Sequence, residues 1–241
     1  MNAGLYIVGT PIGNLADMTF RAVETLKAVN LIIAEDTRHT RILLDRYEIR
    51  TPTMSCHKFN EASRVDLVLG KIRDGQAVAM VTDSGMPAVS DPGSRVVAAC
   101  HDASVPVVVI PGPSSVPSAL ALSGFGGGGF LFEGFLSHKS AARERRLTEL
   151  ASCDVPVVLF ESPYRLLKLM GEIEKVLGAR RVFVAREMTK HFEECLRGTA
   201  AEITAAFGGR TVKGELVVVI APLESHKSKA QGPKPDDHFG L

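Results

Sequence analysis

Short runs of apolar residues alternate along this chain with longer stretches in which apolar positions recur at helical spacing. Leu5-Tyr6-Ile7-Val8, Leu31-Ile32-Ile33-Ala34, Ala77-Val78-Ala79-Met80-Val81 and Val105 to Ile110 are continuous, partly β-branched and bounded by glycine, proline or charge. Such runs predict strands buried on both faces. Between them the pattern predicts helices from about Asp17 (as N-cap) to Ala28, from Arg38 to Tyr47, over Asn60–Arg73 and over Ser90–Ala103. Strands alternating with helices indicate a parallel sheet with right-handed crossovers.

The pattern repeats further on. Phe130–Leu136 opens a second half, followed by a basic helix from Lys139 to Leu150, strand Val155–Phe160 and helix Pro163–Leu177. Strands at Arg181–Arg186 and Cys195–Gly198, helix Ala200–Phe207 and strand Glu215–Ile220 complete it. Ser123-Gly124-Phe125-Gly126-Gly127-Gly128-Gly129 separates the halves, because consecutive glycines in an element interior carry a heavy entropic cost. The expected organisation is an α/β domain at 1–123, a glycine-rich hinge at 124–129, a second α/β domain at 130–222 and a polar, disordered tail at 223–241.

Composition narrows the classes. In 241 residues, 45% are hydrophobic and 23% charged, ordinary for a soluble protein. A net charge of +1 means that any nucleic-acid contact must be a local patch. Cys56, Cys100, Cys153 and Cys195 are scattered without metal-ligand spacing, which argues for reduced thiols and against a metal. No run is long enough for a membrane span and the N-terminus lacks a signal pattern, so the expectation is a cytoplasmic protein without membrane contact.

The chemistry gathers where strands end. Thr82-Asp83-Ser84-Gly85-Met86-Pro87-Ala88-Val89-Ser90-Asp91-Pro92-Gly93 leaves a central strand as a rigid loop, and ligands of open α/β sheets bind at that end. Asp91 reads as the cap of the next helix, whereas Asp83 lies too early for that. Gly9-Thr10-Pro11-Ile12-Gly13-Asn14 lacks the Lys-Ser/Thr of a P-loop and the GxGxxG spacing, and Pro11 removes an amide donor. Glu35 imitates the ribose-binding acid of dinucleotide folds, a minor alternative because the glycine geometry it relies on is missing. Pro111-Gly112-Pro113-Ser114-Ser115 offers hydroxyls and close backbone approach, or simply a serine cap. Ser162 and Pro163 of Glu161-Ser162-Pro163-Tyr164-Arg165 read as a cap and first helical residue, leaving Glu161 and Arg165 unexplained. Arg186-Glu187-Met188-Thr189-Lys190 ends another strand in charge. Polar exits at Gly9–Asn14, Asp83–Gly93, Pro111–Ser115 and Arg186–Lys190 together predict a single cleft between two α/β domains.

Taken in order, GTPIGN, AEDTRHT, TDSGMPAVSDPG, PGPSS, FEGFL, ESPYR, REMTK and GELVVV resemble the tetrapyrrole-methylase superfamily, and within it the 16S rRNA (cytidine-2′-O)-methyltransferases. The resemblance runs from about Leu5 to Ile220. It implies a two-domain class III methyltransferase fold, a homodimer, and S-adenosyl-L-methionine in the inter-domain cleft. The implied cofactor residues are Gly9 to Pro11, Asp83, Ser84, Gly85, Met86, Ser114, Ser115, Phe160 to Ser162, Glu187, Met188 and Gly214. Aspartate suits the methionine ammonium, serine and backbone groups the carboxylate and ribose, and Met or Phe the adenine. The branch often carries a further C-terminal helical module, which the short tail here is expected to lack or to carry in reduced form.

The implied reaction, methyl transfer to a ribose hydroxyl within the small ribosomal subunit, needs alignment and a base or cation for developing alkoxide. Glu133, Glu187 and Lys190 are the candidates. Asn14, Arg38, Arg41, Lys139, Arg143 and Arg165 are candidates for the RNA, with Arg145 and Arg146 beside them; the Arg143–Arg146 run also reads as an exposed helix face. A methylase of a tetrapyrrole-like small molecule and a non-catalytic RNA-binding module are the competing readings.

Overall fold

The structure is a computed structural model that describes residues 1–223, so the expected tail lies, beyond Leu223, outside the described residues. The described residues form two units: Met1–Ser118 together with Ala185–Glu194, and Ala119–Val184 together with residues 195–223.

In the first unit, β1 (Gly4–Val8), β2 (Leu31–Ala34), β3 (Thr53–Ser55), β4 (Ala77–Val81) and β5 (Val107–Ile110) form one sheet in the order β3-β2-β4-β1-β5. Every neighbouring pair is parallel, as the alternating pattern predicts. Helices α1 (Phe20–Ala28), α2 (Thr37–Arg46), α3 (Glu61–Arg73) and α4 (Ser94–Asp102) cross between strands, and α5 (Ser115–Ser123) follows β5. Alternate strand residues serve opposite faces. Tyr6, Val8, Ile32, Ala79 and Val81 pack with Ala22 and Leu26 of α1 and Leu43 and Leu44 of α2. Leu5, Ile7, Ile33, Val78 and Met80 pack with Val68 and Ile72 of α3 and Val96 and Cys100 of α4. Each fully buried aliphatic chain adds about 1.5–3 kcal/mol, and this two-sided core fixes all five strand exits along one edge.

Several boundaries differ from expectation. Asp17 is not the cap of α1: Thr19 is, its Oγ1 accepting from Ala22 N at 3.2 Å, while Asn14 caps a separate 3-10 turn at Leu15–Asp17. Thr53–Ser55 is too short to show a period and gives no strand signal. Helix α4 starts at Ser94 rather than Ser90, with Gly93 at φ 129° in the cap position. Asp91 is therefore not that cap. Glu61, from the first turn of α3, does the work at long range: its Oε1 accepts from Gly93 N at 3.0 Å and Arg95 N at 2.8 Å. Helix α5, with Pro117 and small residues, escaped the sequence pattern.

In the second unit, β6 (Leu131–Phe135), β7 (Val157–Glu161), β8 (Arg181–Arg186), β9 (Glu194–Thr199) and β10 (Leu216–Ile220) form a sheet in the order β6-β7-β10-β8-β9. β6 runs parallel to β7 with an irregularity between Phe132 and Gly134, and β10 runs antiparallel to β7. Helices α6 (Ser140–Leu150), α7 (Leu166–Leu177) and α8 (Ala200–Phe207) cover an apolar face built on Leu159, Val184 and Val218. Helix α7 begins at Leu166, because Ser162 to Arg165 make a turn first. Thr199 and Glu202 form a capping box that sets the start of α8.

Candidate functional site

Three strand exits of the first unit are laced together. Thr10, leaving β1, exchanges backbone hydrogen bonds with Gly85 on the β4 loop: Thr10 N to Gly85 O at 2.9 Å and Gly85 N to Thr10 O at 3.2 Å. The Thr10 hydroxyl donates to Thr82 O at 3.1 Å. Gly9 and Gly112, on the β1 and β5 exits, touch backbone to backbone: a Cβ on Gly9 would stand 2.7 Å from both Gly112 N and Met86 Sδ. Only glycine allows that approach. Pro11 is buried beside this contact, and Gly85 sits at φ 81°. Ala88 and Ser90 take positive φ (66° and 64°) without being glycine, a conformation costing on the order of 1–3 kcal/mol each and concentrated at functional loops.

These exits carry acid. Asp83 Oδ1 accepts from Asp36 N at 3.2 Å, and Thr82, buried, donates from Oγ1 to Glu35 Oε2 at 2.8 Å. Burial pushes the Asp83 carboxyl up; the Asp36 amide works against that shift, and the Glu35 carboxylate adds to it. Asp91 is pushed up to about 6, chiefly by burial and then by Glu35, with the Thr82 hydroxyl moderating the effect. Carboxylates that resist ionisation side by side favour a cationic ligand, whose charge would relieve them.

The Ala185–Glu194 excursion brings the fourth exit to the same unit. A Cβ on Gly13 would strike Lys190 Cγ at 2.6 Å, Thr189 Oγ1 at 2.7 Å and Met188 O at 2.8 Å, so this loop lies directly on the β1 exit. Glu187 and Thr189 sit at φ 51° and 65°, Lys190 Nζ bonds Glu187 Oε1 at 2.9 Å, and Thr189 N donates to Glu193 Oε2 at 2.5 Å. Met188 is buried. The Thr189 hydroxyl is buried with no hydrogen-bond partner among the described residues, an orphan that a ligand oxygen or nitrogen can satisfy.

Of the residues expected in the site, Pro11, Asp83, Ser84, Gly85, Met86, Ser114, Ser115, Glu187, Met188 and Lys190 thus fall on strand exits of one unit. Asn14 is exposed there, its Oδ1 accepting from Ala16 N at 3.1 Å. Arg38, exposed, pairs with Asp36 at 3.4 Å, and Arg41 with Asp45 at 2.8 Å along α2.

The remaining ones belong to the second unit. Phe160 packs edge-on to Phe132 at 5.0 Å, the Ser162 hydroxyl accepts from Tyr164 N at 3.3 Å, and Gly214 sits at φ 95°. Both Glu133 oxygens accept from Arg146, through Nε at 2.9 Å and through NH2 at 2.5 Å, so this carboxylate is occupied as an ion-pair partner. Lys139 is exposed at the start of α6. Arg143 requires a correction: it is 1% exposed, bonded through Nε and NH2 to Glu172 and through NH1 to Ser137 O at 2.9 Å. No phosphate can reach it. Arg165 is similarly engaged, with Leu136 O at 2.9 Å and Glu161 at 3.2 Å, and so holds the β6 exit rather than presenting a free cation.

Sequence reasoning missed Thr189 and the structural work of Glu61, both of which depend on long-range packing. The Gly9–Gly112 contact left a usable signal, a glycine soon after each of two strand ends. Among the described residues no group of His, Cys, Asp and Glu could hold a metal ion, and no helix is long and apolar enough to cross a membrane.

Known proteins resemble this chain in sequence and in fold. The sequence profile of the Tetrapyrrole (Corrin/Porphyrin) Methylases matches residues 4–204. The chain is 47% identical over 218 residues to a ribosomal RNA small subunit methyltransferase I of Synechocystis sp., covering 90% of this chain and 78% of that one. It is 45% identical over 220 residues to the protein of the same name from Thermotoga maritima, covering 91% and 99%. Among solved structures, the methyltransferase CobJ superposes with a TM-score of 0.69 at 17% identity, covering 91% of this chain and 94% of that one. A uroporphyrin-III C-methyltransferase from Thermus thermophilus, complexed with S-adenosyl homocysteine, gives 0.61 at 18% identity, covering 90% and 96%.

Proposed function

The chain belongs to the tetrapyrrole (corrin/porphyrin) methylase family, and on that premise we propose that it is an S-adenosyl-L-methionine-dependent methyltransferase acting on the 2′-oxygen of a cytidine ribose in 16S rRNA. The observation that carries this reading is sustained identity, over nine-tenths of the chain, to enzymes named for small-subunit ribosomal RNA. The site fits the donor by the chemistry of its groups. Asp83 offers a carboxylate to an ammonium, Met86 and Met188 offer apolar surface, and the Thr189 hydroxyl and the backbone of the glycine loops offer hydrogen bonds.

S-adenosyl-L-methionine supplies a methyl group made electrophilic by its sulfonium. The protein's part is position and charge. The laced loops of Thr10, Gly85 and Gly112 hold a fixed backbone against which ligand atoms align without reorganisation. Glu187 and Lys190, paired on a strained loop, are the groups assigned to the incoming ribose hydroxyl: the carboxylate accepts its proton, or the ammonium steadies the oxygen as charge develops. Arg38, Arg41 and Lys139 remain as phosphate contacts. A ribosomal substrate puts the reaction in the cytoplasm. The assembly in this reading is a homodimer, supported by β5, an edge strand whose Val108 and Val109 are 39% and 56% exposed.

The test is incubation with labelled S-adenosyl-L-methionine and small subunits lacking the modification, followed by mapping of the label. Label on one cytidine ribose is the expected result. Label in a porphyrinoid instead, with subunits untouched, overturns it. Light scattering at two concentrations checks the dimer.

A further inference from the structure

We infer that the turn Cys56–Asn60 is a base-stacking contact for the RNA, with Phe59 receiving an unpaired nucleobase and Lys58 the adjoining phosphate. This rests on the ribosomal-RNA reading above and adds a substrate contact that the sequence motifs did not indicate. The placement follows from the sheet. β3 pairs parallel with β2, Ser55 opposite Ala34, and Cys56 N donates to Ala34 O at 2.7 Å. The turn therefore leaves the sheet level with the β2 exit, on the edge that also carries the Asp83 loop.

The turn is built to hold its shape. His57 N donates to Asn60 Oδ1 at 2.7 Å, Asn60 N and Glu61 N both donate to His57 O at 2.9 Å, and Arg64 Nε braces Ser55 O at 3.1 Å. Glu61, the next residue, is locked onto the start of α4. On this stiff frame Phe59 stands 94% exposed, and the His57 ring lies edge-on to it at 6.2 Å. A phenyl ring so placed contributes almost nothing to folding, yet its rigidity lowers the ordering cost of binding.

The surroundings select the occupant. A protein partner or second copy would want a contiguous apolar patch, but the residues beside Phe59 in the turn are Lys58 and Asn60. Lys58 is exposed, and Arg38 on the neighbouring exit is 91% exposed at its side chain. Of the acids on the neighbouring elements, Asp36 pairs with Arg38 and Glu61 bonds the α4 amides. An exposed aromatic ring next to Lys58, on a sheet edge that also carries exposed Arg38, matches single-stranded nucleic acid, whose bases stack while phosphates meet the charge.

The experiment uses the full chain with Phe59→Ala, Phe59→Trp and Lys58→Ala, and reads binding of deproteinised 16S RNA by fluorescence anisotropy beside calorimetric affinity for S-adenosyl-L-methionine. Phe59→Ala should weaken RNA binding about 5- to 150-fold and leave the donor affinity unchanged, with Phe59→Trp restoring it. Lys58→Ala should flatten the salt dependence by about 0.7 in log–log slope. Equal RNA affinity for Phe59→Ala and the parent overturns the inference, as does a change in assembly mass, which would make the ring a contact between copies. Because binding is read apart from methyl transfer, a parent that binds RNA through Phe59 yet leaves subunits unmethylated would sink the catalytic reading alone.

Discussion

Replacing Glu172 by leucine should cost this protein more stability than any surface substitution, and replacing Arg143 by methionine at the same time should return most of it. Arg143 lies at 1% exposure and spends all three nitrogens inside the second unit: Nε and NH2 on Glu172, NH1 on Ser137 O. Burial alone would raise the Glu172 carboxyl, but bonds from Arg143 and from Ser140 Oγ at 2.6 Å outweigh it and hold the group below its usual range. Removing Glu172 strands a guanidinium in a dry site, a change that costs about 3–5 kcal/mol. In a chain of this size each kcal/mol moves the melting temperature by about 2–4 °C, so the midpoint should fall by roughly 6–20 °C. Arg143→Met alone should cost less, since the orphaned carboxylate can take up a proton. The double variant should lie near the parent, because apolar chains of similar volume replace the pair without a desolvation penalty. Thermal and urea unfolding of the four proteins complete the cycle. A Glu172→Leu loss under about 1 kcal/mol, or a double variant as weak as the sum of the singles, refutes the reasoning. The double variant should also keep its affinity for RNA, which a phosphate-binding Arg143 would not allow.

Asp83→Ala should abolish calorimetric binding of S-adenosyl-L-methionine; unchanged affinity would remove Asp83 from the site. Asp91→Asn should raise the melting temperature at neutral pH. In the native state Asp91 binds its proton up to about pH 6, against 3.8 when unfolded, so its contribution to stability declines as pH rises between those values and stays a penalty above them. Allowing for screening of a half-buried carboxylate, that penalty is about 1 kcal/mol; a stabilisation by asparagine that did not vanish near pH 4 would contradict its origin. Gly13→Ala should displace the Arg186–Lys190 loop and depress methyl transfer while leaving the sheet intact, checked by protease sensitivity of that loop and by circular dichroism; an unaltered digestion pattern would count against the contact.

Much of this architecture was legible in the chain because parallel strands buried on both faces write themselves as continuous apolar runs: Leu31–Ala34 and Ala77–Val81 lie where the pattern puts them. Helix starts were less legible. A cap depends on one side chain reaching one amide, and at α4 the acceptor comes from Glu61 in another helix, which no local pattern around Asp91 can reveal. The three-residue β3 carries no period, so the turn bearing Phe59 had no strand to announce it. Among the site residues, glycines, prolines and acids at strand exits were readable because their chemistry is local. The misplacement of Arg143 came from reading charge as exposure, when its partner Glu172 lies in a different helix.

The Ala185–Glu194 excursion bears on how this protein could be divided. Severing the chain within its glycine tract would yield halves that are not self-sufficient. The leading fragment would lack the segment that packs beside Gly13, and the trailing one would carry that segment as an idle flap. Co-expressed fragments should therefore recover solubility only together, which makes the glycine tract a natural place for a split reporter of complementation.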